Sequence, residues 1–289
     1  MTTFTLLKWE MYKIVRRRSS YIAFALVVFF CCAVMIGFGY SKWRGLRRNS
    51  IGLLDPTAYI NAKFYANFIL HISFFSLLPL FAAVIYGSQL AGEAKDGTLR
   101  NLLVRPISRA KLFAVKTLVA FGWVQVILIF LVVFSLLFGT FVIGSGKMMV
   151  FIWQFRKAGP WIAEGNDWIW IMVISTMGAG VSLLMIGSFA MMLSAITDNP
   201  VVAHVGTLGS FFISTIIARL PGQMIAPEFK AMMPTSHMNF WHELTHLFHP
   251  DPDRFDAARF WTDAAWCFGY IGLFLAIGLI VFSRKDVQS

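Results

Sequence analysis

Charge is what this chain has least of. Charged residues fill 13% of its 289 positions, about half the ~25% typical of a soluble domain. Apolar residues fill 58%, and mean hydropathy is +0.69. A water-soluble globule of this size could not bury so much apolar surface, so a soluble enzyme and a disordered chain are both excluded. Cysteine is scarce too, at three residues, which excludes a secreted disulfide scaffold. Cys31 and Cys32 are adjacent in one apolar run and Cys267 lies in another. Adjacent cysteines rarely pair, so all three read as small apolar side chains within helices. A cleavable leader is not expected either. The run over 21–40 follows Arg16, Arg17 and Arg18, but is as long as a full membrane span and no small-x-small site closes it. Nor is there a phosphate-binding P-loop. Gly144-Ser145-Gly146-Lys147 imitates the end of one, but Phe141 stands where the first Gly belongs and Met148 where a Ser or Thr would hold magnesium. The segment also follows an apolar span instead of a strand.

What is present is a series of long apolar runs. A span needs about 20 apolar residues, and six stretches qualify: 21–40, 66–90, 117–143, 168–196, 201–218 and 264–282. Asp198-Asn199-Pro200 divides the fourth from the fifth, because Pro cannot continue a helix and Asp-Asn before it favours a turn. The expected fold class is all-α, a polytopic membrane protein with six transmembrane helices in one domain over 21–289 and both termini on one side. The net charge of +11 does not point to nucleic acid, since the basic residues flank apolar runs. Their count leaves orientation nearly tied. The segments on the N-terminal side hold 13 Lys and Arg and the opposite segments 12, with six acids gathered in 219–263.

Residues 1–20 alternate Phe4, Leu6, Leu7, Trp9, Met11 and Tyr12 with Lys8, Glu10, Lys13 and the Arg triplet. That pattern suits a helix in the membrane interface, its cations toward phosphate head groups; a plain juxtamembrane stretch is the alternative. Gly178 with Ser182, Ala190 with Ser194, and Gly272 with Ala276 are small-xxx-small pairs that let helices approach closely. Within the second span, Pro79 predicts a kink, and His71 is expected as a neutral imidazole bonded to a neighbouring helix.

The segment 91–116 predicts a helix leaving the membrane, a break at Gly97, a short amphipathic helix carrying Leu99, Leu102 and Leu103, then Pro106 and Ser108 as the cap of the next helix. Arg100 and Arg105 rim the apolar face, so the segment reads either as a docking knob for a soluble partner or as a solvated basic loop. Glu93, Gly97-Thr98-Leu99, Leu102-Leu103, Pro106-Ile107-Ser108-Arg109, Leu112 and Lys116 together resemble the signature of type-2 ABC exporter permeases. Six spans, an amphipathic N-terminal helix, the tail from Phe282 to Asp286, and Pro234-Thr235 in the last outer segment agree with that resemblance. The resemblance implies a cytosolic coupling helix over 91–116 and contact with an ATP-binding subunit through Glu93, Gly97, Thr98, Leu99, Arg100, Arg105, Pro106, Ser108 and Arg109. It implies two copies of that subunit holding ATP and magnesium, no cofactor in this chain, and a second permease subunit, the same or different. It places the chain in a bacterial-type inner or plasma membrane with both termini cytoplasmic. The near absence of charge in the spans suits lipid-like or amphipathic cargo over small hydrophilic ions.

A competing motif lies in the long extracytoplasmic segment 219–263. His242-Glu243-Leu244-Thr245-His246 is a literal His-Glu-x-x-His, in which two His at i and i+4 can hold zinc while the Glu acts on a bound water, so a zinc-dependent membrane metalloprotease is the second function class. That chemistry needs a third ligand, for which His237, His249 and Asp263 are the candidates. Pro234 and Pro250-Asp251-Pro252 leave little helix around the motif, and an interfacial helix carrying Phe240 and Trp241 is the simpler expectation. No metal site is expected, with His242 and His246 the residues to watch. A non-transporting assembly or anchoring subunit is the third class.

Overall fold

The structure, a computed structural model, describes residues 2–45, 60–99, 107–150 and 161–285. Among these residues eleven α-helices and one short strand pair occur. They are α1 (Thr3–Arg16), α2 (Arg18–Gly45), α3 (Ala62–Phe75), α4 (Leu77–Gly87), α5 (Ala91–Lys95), α6 (Arg109–Val142), α7 (Asp167–Ile196), α8 (Pro200–Arg219), α9 (Pro227–Ala231), α10 (Phe240–Thr245) and α11 (Ala257–Arg284). β1 (Met149–Val150) pairs antiparallel with β2 (Trp161–Ile162). Helices α2, α6, α7, α8 and α11 are each long and apolar enough to cross a membrane. Helices α3 and α4 pass the same test of length and apolarity only as a pair, bent by 53°.

That bend has its cause in the sequence. Pro79 has no N–H to give the carbonyl of Phe75, so the hydrogen-bond ladder breaks one turn before it. Ser76 sits at the break, where its hydroxyl donates to the Ile72 carbonyl at 2.8 Å. The α7–α8 hairpin forms as expected: Asn199 accepts from the Val201 N–H at 3.0 Å and Pro200 occupies the first helical position. Ser108 caps α6 by accepting from the Lys111 N–H.

Helix α7 is the central post. It packs against α3, α4, α6, α8, α10 and α11. Of its most apolar 18-residue stretch 61% is buried, against 22–33% in the other long helices. Small residues make these contacts. A Cβ on Gly187 would collide with the Tyr86 ring, and one on Gly178 would collide with the Trp241 Cβ. Ser194 uses its hydroxyl to accept from the N–H groups of Leu90 and Ala91, which starts α5. Gly272 behaves otherwise: nothing within 4 Å would meet a Cβ there, so it makes no close helix contact within this chain.

Helix α1 and the end of α11 lie at one end of the bundle, both held to the first turns of α6, by Lys116 and Arg109. Lys285 reaches the Asp198 carboxylate at 2.7 Å and the Ala195 carbonyl at 3.0 Å. At the opposite end, Asn61 caps α3 and donates to the Lys147 carbonyl. The Gly144–Lys147 stretch that imitates a P-loop is therefore packed against a helix cap, at the end of a span.

Candidate functional site: a buried ionic cluster at the terminal end

Helix α1 is amphipathic, but its inner face is not purely apolar. Leu6, Glu10 and Ile14 are four apart and form one buried stripe. Phe4, Trp9, Tyr12 and Val15 are exposed on the other side. Glu10 is therefore carried inward, and two cations meet it. Lys13 Nζ lies 2.8 Å from Glu10 Oε1, and Lys116 Nζ lies 2.9 Å from Glu10 Oε2. The same two ammonium groups hold Glu93, at 3.1 Å and 2.8 Å from its Oε1. The result is a neutral quartet of two carboxylates and two ammonium groups contributed by α1, α5 and α6. Lys116 is 1% exposed, Glu10 3% and Glu93 4%.

Burial by itself raises the pKa of Glu10, but Lys116 and Lys13 outweigh it and hold the carboxyl below its ordinary value. Burial likewise lowers that of Lys13, and Glu93 and Glu10 outweigh it in the other direction. Glu10 and Lys13 are thus each held in the charged form by the partners they face. Removing one member of such a set leaves an uncompensated charge in a dry site, which is why its geometry is so constrained. Lys13 accordingly points inward to carboxylates and not toward lipid head groups.

The other predicted contact residues divide by position. Gly97 comes just after α5 with φ +68, in the left-handed region, and a Cβ there would meet open space. Thr98 donates to the Glu93 carbonyl at 3.3 Å and Leu99 is 2% exposed. So Glu93 is locked, Gly97 turns the chain, and the buried Leu99 side chain anchors the turn. Arg100, Arg105 and Pro106 lie outside the described residues. Ser108 is the α6 cap. Arg109 donates to the carbonyls of Phe282, Ser283 and Lys285, closing the end of α11. The sequence marked Glu93 and Lys116 but did not join them to Glu10 and Lys13. The available signal was an acid at the centre of the buried i, i+4, i+8 stripe of α1.

The His-Glu-x-x-His segment forms a different arrangement. Its helix, α10, ends at Thr245, and His246 starts a 3₁₀ turn over His246–Phe248. His242 is buried and stacks on the His71 ring at 4.7 Å, with Trp241 wedged against Gly178. Glu243 Oε1 faces the Arg259 guanidinium at 3.5 Å. His237, a candidate third ligand, donates from both ring nitrogens, to Asp263 at 2.7 Å and to the Ala231 carbonyl at 2.6 Å. Among the described residues no three His, Cys, Asp or Glu side chains are grouped to hold a metal ion. His71 donates to the Asn67 carbonyl of its own helix, where a neighbouring helix was the expectation. Pro234-Thr235 forms a 3₁₀ turn whose Thr235 hydroxyl bonds Ser214 on α8 at 2.8 Å.

Helices of this length and apolarity, with a buried ionic cluster at one end of the bundle, define a multi-pass membrane protein. Residues 4–287 match the family model described as ABC-2 family transporter protein. The chain belongs to that family, an ABC transporter permease family of multi-pass membrane proteins. No curated protein matches the chain.

Proposed function

We propose that this chain is the membrane-spanning subunit of an ABC exporter driven by ATP hydrolysis in a separate subunit. The observation that carries this reading is the Glu10–Lys13–Glu93–Lys116 quartet. An ATPase pressing on the segment just beyond α5 would act on Gly97 and Leu99. Through Glu93 the force reaches α1 at the interface and α6 in the membrane. Because ion pairs of this geometry resist stretching, the segment and two helices would move as one body. That rigid coupling suits a tilt of helices between inward- and outward-facing states.

In this reading the end that carries both termini faces the cytoplasm of a bacterial-type cell. Two ATP-binding subunits holding ATP and magnesium dock there, and a second permease subunit completes the path. This chain supplies no ATPase site and no cofactor. The packing of His242 on His71 and the pairing of Glu243 with Arg259 support a structural role for the His-Glu-x-x-His segment over a hydrolytic one.

The test is a pull-down of the tagged chain in mild detergent, with partners identified by mass spectrometry and zinc assayed on the same sample. A stoichiometric soluble subunit bearing a P-loop is the expected result. No such subunit, together with about one zinc per chain, would overturn the reading in favour of the hydrolase motif.

A further inference from the structure

At the end of the bundle opposite the termini, a cavity of about 780 Å³ lies between the end of α8, α9, α10 and the start of α11. Its walls carry three cations, Arg219, Lys230 and Arg259, and no acid. Arg259 shares its charge with Glu243 at 3.5 Å and Asp263 at 3.7 Å. Arg219 and Lys230 form no ion pair among the described residues. Arg219 lies over the Phe75 ring at 4.9 Å, and Lys230 donates to the Leu220 carbonyl. Two cations in one concave site, with no carboxylate between them, raise a positive potential there.

A second observation points into the same cavity. His242 lines it, is 4% exposed, and neither of its ring nitrogens has a partner. Asn239, also on the wall, leaves its Oδ1 unpartnered. Buried polar atoms without partners are costly, so this pocket is built with hydrogen-bonding capacity to spare. Ser236 adds a hydroxyl, and Phe75 and Leu220 add apolar wall. The volume falls in the range of small-molecule sites.

We propose that this cavity binds a phosphate-bearing anion. A tetrahedral phosphate offers several acceptor oxygens to Arg219 and Lys230 at once, and one His242 nitrogen can donate to it. The apolar wall then suits a glycerol or acyl portion, as in an anionic phospholipid head group entering from the adjoining leaflet. A free phosphate compound from the aqueous side would use the same donors. The inference does not depend on the transport reading, because it needs only the pocket.

The full chain is purified and placed in nanodiscs of phosphatidylcholine with or without phosphatidylglycerol, and retained lipid is measured by native mass spectrometry. Selective retention of phosphatidylglycerol is expected. It should fall about tenfold in Arg219→Gln and in Lys230→Gln, recover in Arg219→Lys, and stay unchanged in Lys147→Gln, a basic residue exposed at the same end. Titration with inorganic phosphate identifies the source. Displacement of phosphatidylglycerol at millimolar phosphate supports the site with a water-borne ligand; no displacement supports it with a lipid one. If the Gln variants fail to fold, a phosphatidylglycerol carrying a photoreactive group near its head labels the unaltered protein, and the label must fall within 215–242 or at Phe75 or Arg259. Equal retention of both lipids with no effect of phosphate, or labelling confined to other segments, would overturn the proposal.

Discussion

Replacing Lys116 by Met tests the quartet most sharply. The change keeps a long side chain at a position that is 1% exposed, so packing is nearly conserved. It removes one of two cations from a set whose carboxylates sit 2.8–2.9 Å away. Breaking a buried ion pair from one side costs about 3–5 kcal/mol. Lys13 still holds Glu10 and Glu93, at 2.8 Å and 3.1 Å, and is itself partly exposed, so the lower end of about 3 kcal/mol applies. At about 2–4 °C per kcal/mol, the melting temperature in detergent should fall by about 6–12 °C. Adding Glu10→Gln to Lys116→Met restores neutrality and should recover about half of that loss, so the double mutant should lose much less than the sum of the two single losses. Hydrogen exchange should show α1 opening in the single mutant. A Lys116→Met protein that melts within about 1 °C of the original, with α1 equally protected, would refute the argument.

The same geometry carries other expectations. Gly97→Leu forces a branched side chain into positive φ with open space around it, so the chain should still insert and fold while ATPase activity of the complex separates from transport; transport at full rate would count against the coupling role. Gly178→Val drives a Cβ into the Trp241 Cβ and should displace α10, seen as a changed tryptophan emission and a loss of about 3 kcal/mol; unchanged emission would contradict the packing. The pKa of His237 is lowered by burial but raised further by Asp263 and the Ala231 carbonyl, for a net increase. Its stabilising contribution is therefore complete below about pH 6.5 and is lost as pH rises through the elevated folded value. Melting temperature should fall over that window, and His237→Ala should flatten the curve. Glu10 has the opposite sign. Its lowered carboxyl contributes above about pH 4.5 and the contribution disappears only as pH falls below that, so melting temperature should show no effect of Glu10 across the neutral range.

The spans were legible because their signals are local. Pro79 marks a break that falls one turn upstream, and Asp198-Asn199-Pro200 marks the hairpin where Asn199 caps α8. Composition places the apolar runs, and helix ends differ from expectation mainly where polar residues extend a helix past the apolar stretch, as at Arg109 before the span. The quartet was only half legible. Glu93 and Lys116 stand in a recognisable segment, but what they touch depends on α1 folding back across the base of α6. No periodicity encodes that contact. The His-Glu-x-x-His motif misleads for the converse reason. Its spacing is local, but whether two imidazoles can share an ion depends on what surrounds them, and His71 comes from elsewhere in the chain to stack on His242. The Gly178–Ser182 pair was read as helix packing, and Gly178 does admit a neighbour. That neighbour is Trp241 of α10, outside the spans. The cationic cavity was not legible at all, because Arg219, Lys230 and Arg259 are unremarkable until α9 and α10 fold over the end of α8.

In the proposed function an ATP-binding subunit docks just beyond α5, at the end of the bundle where α1 and the end of α11 lie. Asp96 is exposed there, and Met224 is exposed at the opposite end. Cys31 and Cys267 are buried, and the half-buried Cys32 is replaced by Ser to keep background labelling low. Asp96→Cys and Met224→Cys proteins are tested in whole cells with a membrane-impermeant maleimide, then in isolated membranes with a short thiol-to-amine crosslinker. The thiol at position 224 should be labelled from outside and the one at position 96 should not, and only the latter should crosslink to a P-loop subunit. Outside labelling at position 96, or a crosslink to that subunit from position 224, would contradict that docking.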